Sequence, residues 1–70
     1  MSWALTLYWC SEDGDNEHEH TIHRESEEAI EQASDIAVEV LKAVGCWDIS
    51  TWTRPVDENG NYLPGWERLQ

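Results

Sequence analysis

The chain predicts an α+β fold, a single domain over residues 1–70 in which one helix covers one face of a small antiparallel sheet in the order ββαββ. Three patterns carry that expectation. The first residues alternate with the period of a strand, and the middle of the chain recurs with the period of a helix. Two turn signals, Asp13-Gly14 and Asn59-Gly60, sit between the strand-like segments.

Trp3, Leu5, Leu7 and Trp9 fall on one side of the first segment, and Ala4, Thr6, Tyr8 and Cys10 on the other, as in a half-buried strand. The acidic stretch from Ser11 to Asn16 contains Asp13-Gly14, so the chain reverses there. Glu17 to His23 alternates again, with His18, His20 and Ile22 opposite Glu19, Thr21 and His23, and completes a hairpin over 2–23. Ser26 then supplies a helix N-cap, and Glu27 and Glu28 set carboxylates against the positive end of the helix dipole.

Ile30, Ala33, Ala37, Val40, Leu41 and Val44 recur at helical spacing and form the expected buried stripe. Lys42 lies in the last turn and Gly45 where a left-handed C-cap belongs, so the helix runs over 26–44. Cys46 to Thr53 reads as a third strand with Trp47 and Ile49 on one side, and Pro55 ends it or confines its end to a sheet edge. Asn59-Gly60 suits a type I′ turn, and Tyr62 to Leu69 reads as a fourth, irregular strand, so the C-terminal strands occupy 46–69.

A chain of 70 residues and 8.1 kDa has room for one small core and no deep cleft. Five Trp and two Tyr make the chain apolar enough for that core in the absence of Phe, with Trp3, Trp9 and Trp47 fitting the core-facing alternation, and set it apart from acidic disordered tails, which are poor in aromatics. Cys10 and Cys46 form no CxxC pair, the N-terminal segment lacks the basic region of a signal peptide, and no apolar run reaches the length of about 18 that spans a bilayer. The expectation is a cytoplasmic protein with free thiols.

Charge is the dominant feature. Fifteen Asp and Glu against four Lys and Arg give a net charge of -11, and eleven of the acids lie between Glu12 and Glu39. Nucleic acid and anionic membranes are repelled by such a surface, whereas a basic partner is steered toward it. Glu27, Glu31, Asp35 and Glu39 form a row at spacing four along the helix with no basic residue between them. Each such like-charged pair costs roughly 0.2–0.5 kcal/mol, and successive members rise about 6 Å along the axis, comparable to the spacing of phosphates along a nucleic-acid strand. Glu12, Asp13 and Asp15 on the hairpin turn extend the acidic surface if the turn lies beside the helix. The plainer reading is a solvated helix face, or the general acidity of a protein adapted to high salt.

Two other constellations bear on function. His18 and His20 share a strand face some 6.5–7 Å apart, a reach that suits two imidazoles on one metal ion; the plainer reading is polar strand residues. Trp52, Tyr62 and Trp66 lie in the irregular C-terminal region, where Trp52 and Trp66 are candidates to anchor a partner or to hold the last segment down. There is no Gly-rich phosphate loop and no nucleophile beside a His in sequence, so the chain is expected not to be an enzyme and to carry no cofactor.

The combination of small size, strong acidity, an acid-faced helix and an acidic hairpin turn resembles the small phage-encoded anti-CRISPR proteins that act as DNA mimics. That resemblance implies an inhibitor that occludes a basic nucleic-acid-binding surface of a bacterial defence (CRISPR-Cas) complex, with the helix row meeting Lys and Arg and a nearby aromatic adding shape-specific contact. One alternative is a structural or regulatory subunit that assembles with itself or another protein through its sheet face, an edge strand or the C-terminal aromatics. The other is a metal-binding module centred on His18 and His20.

Overall fold

The computed structural model describes residues 2–11 and 16–70; Glu12, Asp13 and Asp15 lie outside them. Strands β1 (Ser2–Cys10) and β2 (Glu17–Arg24) are followed by helix α1 (Glu27–Ala43), β3 (Trp47–Val56) and the two-residue β4 (Glu67–Arg68). The strands form one antiparallel sheet in the order β2-β1-β3-β4, and α1 packs on one face of it. None of the helices among the described residues is long and apolar enough to cross a membrane.

β1 is central because it is the most apolar strand and is paired along both edges. Leu5 stands between Ile22 and Thr53, and Leu7 between His20 and Thr51. Leu5 and Leu7 form the buried cluster with Ile30 of α1, and Trp3, Trp9, Ile22, Ala33, Ala37 and Leu69 pack around it. The alternation read from the sequence therefore places Trp3, Leu5, Leu7 and Trp9 beneath the helix, and leaves Ala4, Thr6, Tyr8 and Cys10 on the other face.

The helix begins and ends by local chemistry. Ser26 adopts an extended conformation and its hydroxyl accepts from the Ala29 N–H at 3.1 Å. At the C-terminus, Gly45 takes φ 89°, its N–H reaches the Lys42 carbonyl, and the Cys46 N–H reaches that of Leu41, a pattern that satisfies two terminal acceptors.

The buried stripe differs from the sequence expectation. Ile30, Ser34 and Val38 are its buried line, with Ala33, Ala37 and Leu41 beside them, while Val40 and Val44 are 55% and 60% exposed. Ser34 is not among the residues of the expected stripe, but its hydroxyl forms a buried 2.7 Å hydrogen bond with that of Thr51. That partner lets a polar side chain occupy the stripe, and the helix is rolled away from Val40 and Val44.

β3 also departs from its expected pattern. Tyr8 pairs with Ser50 and Cys10 with Trp47, so Asp48 and Ile49 together oppose Trp9 in a β-bulge. Asp48 is the only non-glycine residue of positive φ among the described residues, at 52°. The extra residue reverses the alternation. Trp47 therefore shares a face with Cys10, away from the helix, and is 50% exposed, with its indole N–H donating to the Ser11 carbonyl at 3.0 Å. The sequence reading had placed it in the core.

The strand expected over Tyr62 to Leu69 shrinks to Glu67–Arg68 and an isolated bridge between Tyr62 and Val56. Pro64 and Gly65 fall between the two, where Gly65 has φ 106°. Nor is Asn59-Gly60 a type I′ turn, because Gly60 has positive φ and Asn59 does not. Asp57 organises this turn instead, its carboxylate accepting from the N–H groups of Asn59 and Asn61, each at 2.9 Å.

Two measurements test these assignments. Ser34→Ala strands the Thr51 hydroxyl and should lower the unfolding free energy by about 1–3 kcal/mol in urea titration, and Ser34→Ala combined with Thr51→Val should recover part of the loss. Simple additivity of the two replacements would show that the hydroxyls do not act as a pair. At the bulge, Asp48→Val should cost about 1–2 kcal/mol, because a branched side chain resists left-handed backbone, while Asp48→Gly should be nearly neutral.

Candidate functional site

Two surfaces of opposite character lie on opposite sides of the sheet. On the helix side, Glu27, Glu31, Asp35 and Glu39 are all exposed and follow one another along one flank of α1. Their Cα atoms span about 18 Å of the axis. Asp35 accepts a 2.8 Å hydrogen bond from the Gln70 side-chain amide, which leaves its charge uncompensated. The arginines do not neutralise the row: Arg24 donates to the His23 carbonyl, Arg54 to that of Leu63 and Arg68 to that of Gln70. Lys42 sits at the far end of the helix, where it complements the dipole. The opposite flank exposes Ile36, Val40 and Val44, and a shallow groove there is lined by Ile36 and by Ile22 of β2.

Among the described residues no helix lies on the other face of the sheet. Trp52 stands there beside Thr6, its β1 partner, because Thr51 and Thr53 take the buried positions on either side. Trp66 meets Trp52 edge-on with ring centroids 4.8 Å apart, and Arg68, paired with Trp52, lies over its ring at 5.4 Å. Arg54 lies over the Tyr62 ring at 5.1 Å, held by its bond to Leu63. Against this raised wall lies a low floor made by Thr6 and Thr21, whose hydroxyls are 3.3 Å apart. Wall and floor bound an open groove of about 440 Å³, with Glu19 at its side.

The turn that places Tyr62 is polar. The N–H of Asn61, with that of Asn59, holds the Asp57 carboxyl below its ordinary range against an opposing contribution from burial. At the other end of the same sheet face, burial pushes the Cys10 thiol up, and the Asp48 and Glu17 carboxylates push it further. Cys10 is thus a buried, protonated thiol in neutral solution, and Cys46 is also unbridged.

His18 and His20 do share a face, opposite Trp9 and Leu7 respectively. His18 is stacked on the Trp9 ring at 5.4 Å, which explains its orientation without a metal. Among the described residues no group of three or more His, Cys, Asp and Glu is disposed to hold an ion.

The sequence-predicted partner-binding residues thus divide between two surfaces. The helix row forms one continuous flank, while Trp52 and Trp66 come together on the far side of the sheet, so a single contact made of both is not what the fold presents. Sequence reasoning passed over Arg54, Arg68, Thr6 and Thr21. Arg54 and Arg68 carried a legible signal, since each lies two residues from a Trp or opposite an aromatic in an alternating segment, but the threonine floor emerges only once β1 and β2 pair. Comparison with protein-family models, with curated proteins and with solved structures returned no match.

The turn yields a pH prediction. Because its pKa is depressed on folding, Asp57 contributes stability above the unfolded carboxylate value of about 3.9, and this contribution is lost as pH falls through the folded value. The amide resonances of Asn59 and Asn61 should therefore titrate together, with a midpoint below the ordinary 3.8. Asp57→Asn should abolish that titration, and a midpoint at or above the ordinary value would remove Asp57 as the organiser of the turn.

Proposed function

We propose that this chain is a non-enzymatic acidic binding protein that occludes a basic, nucleic-acid-binding surface on a partner protein, presenting carboxylates where the partner expects phosphates. The observation that supports this reading above the others is the flank of α1. Four like charges stand in line on a rigid element, all exposed, while the side chains of Arg24, Arg54 and Arg68 bond to backbone carbonyls elsewhere. An ordinary solvated helix face gains from mixing signs at spacing four, and this helix forgoes that gain.

The chemistry of such a contact is charge-assisted hydrogen bonding between carboxylates and Lys or Arg side chains, with no turnover. Steering by the net charge of -11 adds to the encounter rate. The resemblance to anti-CRISPR DNA mimics gives the reading a biological setting, a phage-type inhibitor acting in the cytoplasm of a host cell on a CRISPR-Cas complex. The exposed row supports charge mimicry; the identity of the target rests on the resemblance.

The test is capture of cytosolic proteins on the immobilised chain across about 50 to 500 mM salt, where charge-driven contacts are screened, with competition by DNA or RNA. A nucleic-acid-binding complex that is displaced by nucleic acid and released by salt is the expected result. Glu31→Lys with Asp35→Lys should weaken that capture at least tenfold while leaving the thermal midpoint unchanged or higher, since like-charge repulsion is relieved. Capture that survives the reversal but disappears with Trp66→Ala would move the contact to the open sheet face and overturn the charge-mimic reading.

A further inference from the structure

We infer that the sheet face opposite α1 is a self-association surface, on which a second copy of this chain docks face to face about a two-fold axis parallel to the strands. The inference does not depend on the acidic helix row. It begins from the shape of the face. The half of the sheet formed by β3 and β4 is raised, with Trp52 and Trp66 in edge contact, while the half formed by β1 and β2 is a floor of Thr6 and Thr21. With the strand order β2-β1-β3-β4, a two-fold along the strands sets β4 of one copy over β2 of the other. The indole wall of each copy then enters the threonine-floored groove of its mate, an isologous and closed arrangement. A two-fold perpendicular to the strands would set wall against wall.

Charge points the same way. The chain as a whole carries -11, yet two of its four basic residues, Arg54 and Arg68, lie on this face, against Glu17, Glu19 and, at its far end, Asp48. This is the side of the molecule on which charges of opposite sign can meet across a contact, although the two chains as wholes repel each other. The same axis brings Glu19 on β2 toward the copy's Arg68 on β4. The composition is also that of an interface: Trp, Tyr and Arg are the residues that dominate binding energy, and Trp66, Tyr62 and Trp47 are 61%, 50% and 50% exposed.

Area sets the strength. Three strands of eight to ten residues and the two-residue β4 present about 400 Å² per copy, or about 800 Å² for the pair, in the range of weak, transient interfaces. The area per copy is about a twelfth of the 4753 Å² accessible surface of the chain. The pairing is therefore a reversible dimer with a dissociation constant on the order of micromolar, which sandwiches two sheets and leaves both helices, with their acidic flanks, on the outside.

Sedimentation equilibrium of the whole chain tests this, at concentrations from about 5 to 500 µM and at about 50 and 500 mM salt. The mass should rise from 8.1 kDa toward twice that value. Dimerisation should strengthen with salt, because screening weakens the long-range repulsion of two anionic chains; capture of a basic partner weakens with salt, so the two proposals fail separately. Trp66→Ala and Glu19→Arg should each weaken the dimer at least tenfold, and Glu19→Arg combined with Arg68→Glu should restore it. Trp66 and Glu19 are exposed, so circular dichroism should show unchanged folding for both variants. A monomer at the highest concentration would overturn the inference. So would a dimer indifferent to Trp66→Ala and Glu19→Arg but lost on Ile36→Asp, which would place the contact on the helix flank above β2.

Discussion

Ile30 buried against Leu5 and Leu7 is the contact on which the rest of this domain depends. A helix about 10 Å across covers roughly two strands spaced 4.8 Å apart, and here those strands are β1 and β3. Everything else about the surface follows from that width. β2 is held mainly by its hairpin pairing with β1, β4 covers the far edge of β3, and among the described residues the second face of the sheet is covered only in part, by the segment around Tyr62 that buries Val56 and Ala4.

The core is small enough that polar groups take part in it. Ser34 and Thr51 satisfy each other between helix and sheet, and the Thr53 hydroxyl donates to the Ala4 carbonyl. Such bonds contribute modestly when made and cost more when broken, so they fix the rotation of α1 more firmly than an apolar stripe of the same size would. That rotation has two consequences on the outside. It turns Val40 and Val44 toward solvent, and it keeps the acidic row on the flank beside the C-terminus, where Gln70 reaches Asp35.

Charge and aromaticity are thereby segregated by the sheet. The helix side holds an uncompensated line of carboxylates, suited to a basic partner and weakened by salt. The open side holds the Trp52, Trp66, Arg54 and Tyr62 wall, nearly balanced in charge and suited to packing. A bulge at Asp48 adds Trp47 to that open side by reversing the alternation of β3 at a single point. The two proposals correspond to these two surfaces, and in a face-to-face dimer both remain available at once.

The architecture was legible because it rests on local periodicity. Two-residue alternation marked β1 and β2, helical recurrence with Ser26 and Gly45 marked α1, and the acidic row needed only the spacing of its residues to be placed on one flank. The errors lie where a distant partner changed the local preference. Ser34 belongs inside only because Thr51 faces it, and Trp47 belongs outside only because β3 carries one residue more than β1 at that point. The strand expected over Tyr62 to Leu69 is mostly irregular because its backbone bonds go to Pro55, Arg54 and Thr51 one at a time and form no continuous ladder. By itself the sequence determined the class of fold and the line of charge, since these depend on each residue's own preferences at short range. Only the tertiary structure decided which face Trp47 occupies and that the acidic helix row and the pair of Trp52 and Trp66 lie on opposite sides of the sheet, since strand register and helix rotation are settled by contacts between residues far apart in the chain.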